Sequence, residues 1–447
     1  MSTRVAQVRG QRSPGGDSEA RPAGRPGRER EEGQPRRHRP ADPGAPGRSA
    51  GDIRSRGEAA GPGGPANPGI GEVGGSEVAV SHPALDERDQ PLRSPAPTRP
   101  VVAVTGAARG LGLALTSRLA SSALVGRVVA IDDNRGDVSG VTWRIVDVRD
   151  PALAGRLADV DVVVHTDVDL SPDSSARARR AFNVRGVQTV LTAAAAGGVS
   201  RVVLVTSAMV YGARPDNPVP LPEDAPLSAD SDDSVVGDLL DIEHLAERSA
   251  RAHLGLQVSV ARPAALVGVG IDTLITRHFE APRLLAVKGC EARWQFCHVD
   301  DLVSALELAA AGRVTGAFAV GCDGWLEQDE LEEIAGLRRI ELPPGLTFAT
   351  AQRLHRAGIT PAPVTDLHYV VYPWVVDCEA LHEAGWSPSY DNARALEALL
   401  EQRAGHHAVA GRRLGPKDAT ITAAGATVAV IGTAAIVRQV RRRRRNS

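Results

Sequence analysis

Short runs of valine, isoleucine and leucine alternate with longer segments of helical periodicity between about residue 100 and residue 262. Each run is bounded by polar residues or glycine, which is typical of strands covered on both faces in a parallel sheet. Between two of these runs, the segment 176–196 repeats apolar residues at helical spacing and is closed by Gly197 and Gly198. The alternation predicts a doubly wound α/β fold that binds ligands at the carboxyl ends of its strands. The predicted strands cover residues 101–105, 127–132, 141–147, 160–165, 201–206 and 257–262.

The first predicted strand runs directly into a glycine cluster that opens an Ala- and Leu-rich helix. Gly106 permits a tight turn, Gly110 lets backbone N–H groups come close to a pyrophosphate, and Gly112 lets the helix pack closely against the strand. The phosphates then lie at the positive end of the helix dipole. The cluster predicts a dinucleotide-binding, Rossmann-type turn. Its expected cofactor contacts are Gly106, Arg109, Gly110, Leu111 and Gly112.

A carboxylate, Asp132, ends the second predicted strand, about 20 residues after the helix begins. An acid at this place hydrogen-bonds the adenosine ribose hydroxyls, and its charge would repel the 2′-phosphate of NADP. Arg109 favours the opposite choice, because it offers that phosphate a cation, although an arginine side chain can turn into solvent. We therefore predict NAD as the cofactor, with NADP as the less favoured alternative.

The first 99 of the 447 residues are rich in Pro, Gly, Arg and Ser and contain almost no apolar clusters. Such a segment cannot bury enough apolar surface to offset the entropy of ordering, so we predict a disordered tail. Its basic residues are interleaved with acidic ones, which argues against nucleic acid as a partner. Residues 1–30 lack the apolar region of a signal peptide, and the four cysteines lack metal-ligand spacing. These observations predict a cytoplasmic protein without a metal site.

The carboxyl end carries an uncharged stretch of 19 residues, 419–437, followed by Arg438 and five arginines at 441–445. The stretch is long enough to cross a thin hydrocarbon core, but its Ala, Thr and Gly content makes insertion marginal. The basic end would favour anionic lipid at the inner face of the cell membrane. A membrane contact through residues 419–447 therefore stands beside a surface helix or a disordered basic tail as open alternatives.

Six short motifs follow the glycine turn. They are Asp-Val-Arg-Asp at 147–150, Asn-Val-Arg-Gly at 183–186, Val-Thr-Ser-Ala-Met-Val-Tyr-Gly at 205–212, the Arg-Pro…Gly turn at 262–268, Phe-Cys-His-Val-Asp-Asp at 296–301, and the segment 377–388 that ends in Gly-Trp-Ser-Pro. Their types and order resemble the extended short-chain dehydrogenase/reductase group, the NAD-dependent epimerase/dehydratase family. The resemblance covers residues from about 100 to 405. It implies adenine contacts at Asp147 and Val148, a cofactor contact at His165 and an active-site hydroxyl at Ser207.

The same resemblance implies a small substrate lobe after the dinucleotide-binding sheet. It also implies a homodimer and a small-molecule substrate, such as a nucleotide sugar, a sterol-like compound or another alcohol or ketone. The predicted domains are a disordered tail over residues 1–99, an NAD-binding domain over 100–262, a substrate lobe over 263–405 and a tail over 406–447.

One departure from the family concerns catalysis. A tyrosine and a lysine four residues later normally share one helix face, and the lysine lowers the pKa of the phenol so that it can exchange a proton with substrate. The resemblance places Leu239 and Glu243 at those positions, and neither of the two lysines in the chain follows a tyrosine at this spacing. Asp241, Glu243 or His244 remains either as a proton relay for Ser207 or as part of a solvated helix face. Two functions therefore stay open: an atypical oxidoreductase with Ser207 as its catalytic hydroxyl, and a non-catalytic NAD-binding sensor or scaffold.

A second departure follows the fourth predicted strand. The chain reads His165-Thr166-Asp167 where the family commonly has small neutral residues after the histidine. We expect Asp167 to bring a carboxylate close to the diphosphate or nicotinamide side of the cofactor.

Overall fold

The computed structural model describes residues 99–356 and 363–403, and the backbone of residues 408–409 and 412–413. The tail predicted for residues 1–99 lies outside the described residues except for Arg99, and the stretch 419–437 lies outside them entirely. Among the helices of the described ranges, none is both long enough and apolar enough to cross a membrane. The expectations for the two ends of the chain therefore stay predictions.

A seven-stranded parallel sheet forms the centre of the described part of the chain. Its strands are β1 Val101–Thr105, β2 Arg127–Asp132, β3 Thr142–Ile145, β4 Val162–His165, β5 Arg201–Val205, β6 Gln257–Pro263 and β11 Ala317–Val320. The order across the sheet is β3-β2-β1-β4-β5-β6-β11. The first six coincide with the predicted apolar runs, and the predicted doubly wound α/β fold is confirmed.

Helices cover both faces of this sheet. The helices are α1 Gly110–Ala120, α2 Leu153–Arg156, α3 Ala176–Gly197, α4 Val235–Ala252, α5 Leu274–Phe279, α6 Val299–Ala310, α7 Gln328–Ala335, α8 Pro344–Arg356, α9 His368–Val371, α10 Glu379–Glu383 and α11 Asn392–Gln402. In β1, Val102 and Val104 pack into the apolar cluster under α1 and α6, while Ala103 packs into the cluster under α2, α3 and α4. All three residues are fully buried, which explains why the strand reads as an unbroken apolar run.

Serine side chains cap the starts of the two longest helices, and a glycine follows the end of one of them. The Ser175 hydroxyl accepts the N–H of Ala178 at the start of α3, and Gly198 follows its end with φ of +75°, a conformation that favours glycine. The predicted helix 176–196 is therefore confirmed. The Ser234 hydroxyl caps α4 in the same way, because it accepts the N–H of Gly237 at 2.9 Å.

The segment after residue 263 forms short two-stranded sheets and also contributes to the central one. The two-stranded sheets pair β7 Ala265–Val267 with β10 Phe296–His298, β8 Leu284–Val287 with β13 Arg339–Leu342, β9 Arg293–Trp294 with β12 Leu326–Glu327, and β14 Ala408–Val409 with β15 Arg412–Arg413. The seventh strand of the central sheet, β11, pairs with β6 although it lies well beyond residue 262. The sequence analysis missed this strand, and the predicted domain limits stay a prediction.

The turn between β1 and α1 predicts a measurable effect of one added methyl group. A Cβ on Gly112 would lie 2.1 Å from the carbonyl oxygen of Gly106 and 2.6 Å from Oγ1 of Thr166, so backbone would have to move. We expect Gly112→Ala to lower the free energy of unfolding by about 1–3 kcal/mol or more in urea denaturation of the full chain.

The matched control is Gly186→Ala inside α3, where the added Cβ would meet only Cγ2 of Val148, at 3.6 Å. Alanine there should raise the free energy of unfolding by about 0.5–1 kcal/mol, because it removes conformational freedom from the unfolded chain. Equal stabilities of the two variants would contradict the close approach of α1 to β1.

Candidate active site

A cavity of about 1060 Å³ opens at the carboxyl ends of four neighbouring strands. Its wall includes Gly106 after β1, Thr166 after β4, Thr206 after β5 and Ala264 after β6. This is the edge at which doubly wound sheets bind their ligands. The cavity is therefore the candidate site within the described part of the chain.

The glycine turn forms one end of the cavity. Gly106 and Gly110 both line it, with φ of +71° and +49°, a region that favours glycine. Arg109 occupies the N-cap position of α1 without a side-chain hydrogen bond to the helix, and no atom lies within 4 Å of a Cβ built on Gly110. The first N–H groups of α1 are thus uncapped beside open space at the positive end of the helix, an arrangement that fits a diphosphate.

The Arg109 side chain is shared among three carboxylates. One of its terminal nitrogens lies 3.5 Å from Asp132 and 3.3 Å from Asp133, and the other lies 3.2 Å from Asp167. Asp132 also accepts the N–H of Ala108 at 3.0 Å, so its carboxylate is fixed beside the glycine turn. Arg109, the cation that would favour NADP, is thus already paired. Asp132, the carboxylate that would favour NAD, lies at the end of β2.

Asp167 lies against the glycine turn. Its Cβ would come within 3.0 Å of a Cβ on Gly106, and its side chain is largely buried. Burial raises the pKa of this carboxyl, and the charge of Arg109 opposes the rise. The turn therefore carries a carboxylate at one side, balanced by an arginine.

Ser207 lines the cavity two residues after the end of β5. It caps the 3-10 turn Ala208–Tyr211, since its hydroxyl oxygen accepts the N–H of Met209 at 3.2 Å. The hydroxyl also donates to the carbonyl oxygen of Pro263 at 3.3 Å, a long bond that a substrate oxygen could replace. Leu239 of α4 lines the same cavity with an apolar side chain.

Glu243, one turn further along α4, is buried in an ion pair with Arg262 of β6. Two guanidinium nitrogens donate to its two carboxylate oxygens, both at 2.9 Å. The hydroxyl of Thr206 donates to the same carboxylate at 2.7 Å. On its other side Arg262 donates at 2.8 Å to the hydroxyl of Tyr211, which itself donates to the carbonyl oxygen of Glu223. Both carboxylate oxygens of Glu243 therefore accept hydrogen bonds within the protein.

The expectation that Glu243 belongs to a solvated face was wrong, because only 5% of the residue is exposed. Glu243 is not among the residues that line the cavity, and its role as a proton relay for Ser207 stays a prediction. Asp241 and His244 also lie outside the cavity wall, but Asp241 is part-exposed beside Arg180 and His244 is exposed. These two residues belong to the solvated face of α4.

The predicted site residues divide into two groups. Gly106, Arg109, Gly110, Leu111 and Ser207 come together at the cavity. The residues that do not line it are Gly112, Asp132, Asp147, Val148 and His165.

The histidine at the end of β4 is fully buried and turned away from the cavity. Nδ1 of His165 lies 2.7 Å from Oγ1 of Thr105, and its Nε2 has no partner among the described residues. Burial lowers the pKa of His165 to about 4, so the ring is neutral near pH 7. Asp147, in contrast, is exposed and paired with Arg149 at the surface, and Val148 is buried in the core.

Two comparisons with known sequences decide the family. A profile of the NAD dependent epimerase/dehydratase family matches residues 102–321. An uncharacterized protein of Mycobacterium tuberculosis is 32% identical over 317 residues, which are 68% of this chain and 84% of that protein. The chain belongs to the NAD dependent epimerase/dehydratase family. An uncharacterized protein of Sinorhizobium fredii is 25% identical over 256 residues, 55% of this chain and 63% of that protein.

Solved structures of this family share the fold. MoeE5 in complex with UDP-glucuronic acid and NAD superimposes with a TM-score of 0.52 at 24% identity, covering 67% of this chain and 97% of that one. A double mutant of DesIV, a dTDP-glucose 4,6-dehydratase from Streptomyces venezuelae with NAD and DAU bound, gives a TM-score of 0.52 at 20% identity. That comparison covers 68% of this chain and 97% of DesIV. At these identities the likeness establishes the epimerase/dehydratase fold.

Sequence reasoning missed several carboxylates that line this cavity, including Asp169, Asp173, Asp272 and Asp366. Asp366, on the 3-10 turn Val364–Leu367, is buried. It belongs to none of the family motifs and stands in no periodic pattern, so the sequence carried no signal for it. The burial of Glu243 was missed because its partner, Arg262, lies on another element.

The buried ion pair predicts a large difference between two glutamates of α4. Glu243→Gln removes the anion and leaves Arg262 charged in the interior, so we expect the free energy of unfolding to fall by about 3–5 kcal/mol. The control Glu247→Gln breaks an exposed pair with Arg251, and should change it by less than about 0.5 kcal/mol. Urea denaturation of the full chain measures both, and a mild effect of Glu243→Gln would exclude the pairing described for it.

Proposed function

We propose that this protein binds NAD(H) in the cavity and acts as an atypical oxidoreductase on a hydroxyl or keto group of a small molecule. The observation that carries the proposal is the uncapped start of α1 beside open space, in the same cavity as Ser207. Membership of the NAD dependent epimerase/dehydratase family supports it. Structural relatives that were solved with NAD bound support it as well.

The residues have distinct parts in this proposal. The backbone of Gly106, Gly110 and Leu111 would receive the diphosphate, and Asp132 would receive the adenosine ribose. Asp147 and Val148 are proposed to lie beside the adenine. When bound, NAD supplies a hydride acceptor and NADH a hydride donor. The Ser207 hydroxyl would hydrogen-bond the substrate oxygen in the same cavity.

The proposed site is atypical because two groups of the family are replaced. The position that the resemblance gives to the tyrosine holds Leu239, whose side chain cannot exchange a proton. The position of the lysine holds Glu243, and Arg262 and Thr206 already bind its carboxylate. A proton acceptor for the substrate must therefore come from another part of the cavity.

A non-catalytic NAD-binding sensor or scaffold is the second candidate. The closed ion pair at Glu243 favours it, since that part of α4 is satisfied within the protein and offers nothing to a substrate. Nucleotide sugars, such as the UDP-glucuronic acid bound to MoeE5, remain one substrate class beside other alcohols and ketones. A homodimer, a cytoplasmic location and a membrane contact through residues 419–447 also stay proposals.

Cofactor choice is tested by titrating the full chain with NADH and with NADPH and following nicotinamide fluorescence. We expect tighter binding of NADH. Asp132→Asn should lower the ratio of the dissociation constants for NADPH and NADH by about tenfold or more. The substitution removes the charge that repels the 2′-phosphate and leaves Arg109 in place. The control Asp137→Asn, an exposed aspartate of the β2–β3 loop, should leave the preference unchanged. Binding of neither nucleotide would refute the proposed function, and a preference for NADPH would refute NAD as its cofactor.

Turnover separates the two candidate functions. As an oxidoreductase, the full chain with NAD should form NADH from at least one member of a panel of alcohols, unmodified sugars and UDP- or dTDP-glucose. Ser207→Ala should then lower turnover by about a hundredfold while NADH affinity stays within about twofold. NADH binding without turnover of any panel member would favour the sensor or scaffold.

A further inference from the structure

A helical segment of the substrate lobe brings one carboxyl into the cavity. The 3-10 turn Val364–Leu367 runs directly into α9, and Asp366 in this turn lines the cavity together with Ser207 and Leu239. Only 7% of Asp366 is exposed. No hydrogen bond or ion pair reaches its carboxyl from any residue of the described ranges. An acid that lines a cavity and is bound by no group of the described ranges is a candidate for a role in binding or chemistry.

Two hydrogen bonds hold this segment against the candidate active site. The hydroxyl of Tyr369 donates to the carbonyl oxygen of Met209 at 2.9 Å, and the N–H of Met209 binds the Ser207 hydroxyl. On the other side, the hydroxyl of Thr365 donates to Asp232 at 2.6 Å. Asp366 and Tyr369 are three residues apart in a helical segment, so their side chains share a face. The carboxyl of Asp366 is thus held on the wall that contains Ser207.

The surroundings of Asp366 leave its proton free to exchange. Burial raises the pKa of its carboxyl to about 7, and the charge of Asp232 adds to the rise. Arg179 opposes it, but that guanidinium is already bound by Asp238 at 2.8 Å and by the carbonyl oxygen of Asp233. Other titratable groups lining the cavity include Asp233 and His355. An acid with a pKa near neutrality can both accept and donate a proton at physiological pH.

We propose that Asp366 is the proton acceptor and donor for the substrate oxygen, in the role that Leu239 cannot fill. This inference rests on the proposed oxidoreductase function. In the oxidation, the O–H bond of the substrate hydroxyl breaks and its proton passes to the Asp366 carboxylate. The hydrogen on the carbinol carbon leaves with its electron pair to NAD⁺, and a C=O bond forms. In the reduction, the Asp366 carboxylic acid returns the proton to the oxygen as hydride reaches the carbonyl carbon.

The substitution Asp366→Asn tests the proposal, because the amide keeps the shape of the side chain and cannot carry the proton. We expect turnover of the best alcohol of the panel to fall by about a hundredfold or more, while NADH affinity stays within about twofold. Turnover of the wild-type protein should depend on a group that titrates near pH 7. That titration should be missing from the residual activity of the variant.

A readout without turnover uses the same pair of proteins. The pKa of Asp366 in the fold lies above that of an unfolded aspartate, so the folded state loses stability as pH rises from about 4 to about 7. The variant Asp366→Asn does not lose stability in this way, because its amide does not titrate. Its melting temperature should therefore exceed that of the wild type by a larger margin at about pH 8 than at about pH 5. The control Asp224→Asn, an exposed aspartate in the loop before α4, should follow the wild type at both values.

The outcomes separate the two proposals. Unchanged turnover in a folded Asp366→Asn protein that binds NADH would overturn the role of Asp366 and leave the oxidoreductase function standing. The same melting difference at both pH values would also overturn it, since the buried carboxyl would then not titrate. Failure of the wild type to bind NADH would overturn the proposed function itself. NADH binding without turnover of any panel member would overturn the acid–base role in favour of the sensor or scaffold.

Discussion

The buried pair between Glu243 and Arg262 is the interaction on which the wall around Ser207 depends. Taking both charges out of water is costly, and only near-complete hydrogen bonding of the two groups offsets that cost. The structure provides it, with two parallel bonds between the pair, a third from Thr206 and a fourth to Tyr211. These residues belong to α4, to β6 and to the segment that follows β5, so one network fixes the relative positions of these elements.

The network continues beyond the central sheet. The backbone of Glu223 accepts hydrogen bonds from Tyr211 and Arg262, while its carboxylate accepts the N–H groups of Ala319 in β11 and Ala380 in α10. The loop that carries Glu223 therefore ties the buried arginine to the edge strand and to α10. The proposed acid–base role of Asp366 requires such a fixed position of the surrounding elements.

Local patterns in the sequence were sufficient for most of the sheet. Strands such as β1 are covered on both faces, and this burial requires a continuous run of apolar residues. Glycine is required at the β1–α1 turn because backbone approaches it closely. The strand β11 escaped notice because it has only four residues and two of them are alanine. Its place in the sheet depends on pairing with β6, a contact between distant parts of the chain.

The candidate site was harder to predict, because its chemistry depends on partners in three dimensions. A glutamate on an amphipathic helix looks solvated until its arginine on a neighbouring strand is known, and His165 looks like a cofactor contact until its ring is seen against Thr105. Asp366 has no sequence neighbour that hints at a pocket. The glycine turn and Ser207 were found because each belongs to a short contiguous motif whose geometry is local.

The buried ion pair also limits how this sequence can evolve. A lysine in place of Glu243 would set a second cation against Arg262, and the carboxylate that now balances this arginine would be gone from a buried site. A change from Glu243 to lysine would therefore require a coordinated change at Arg262, and each change would be harmful if it arose alone.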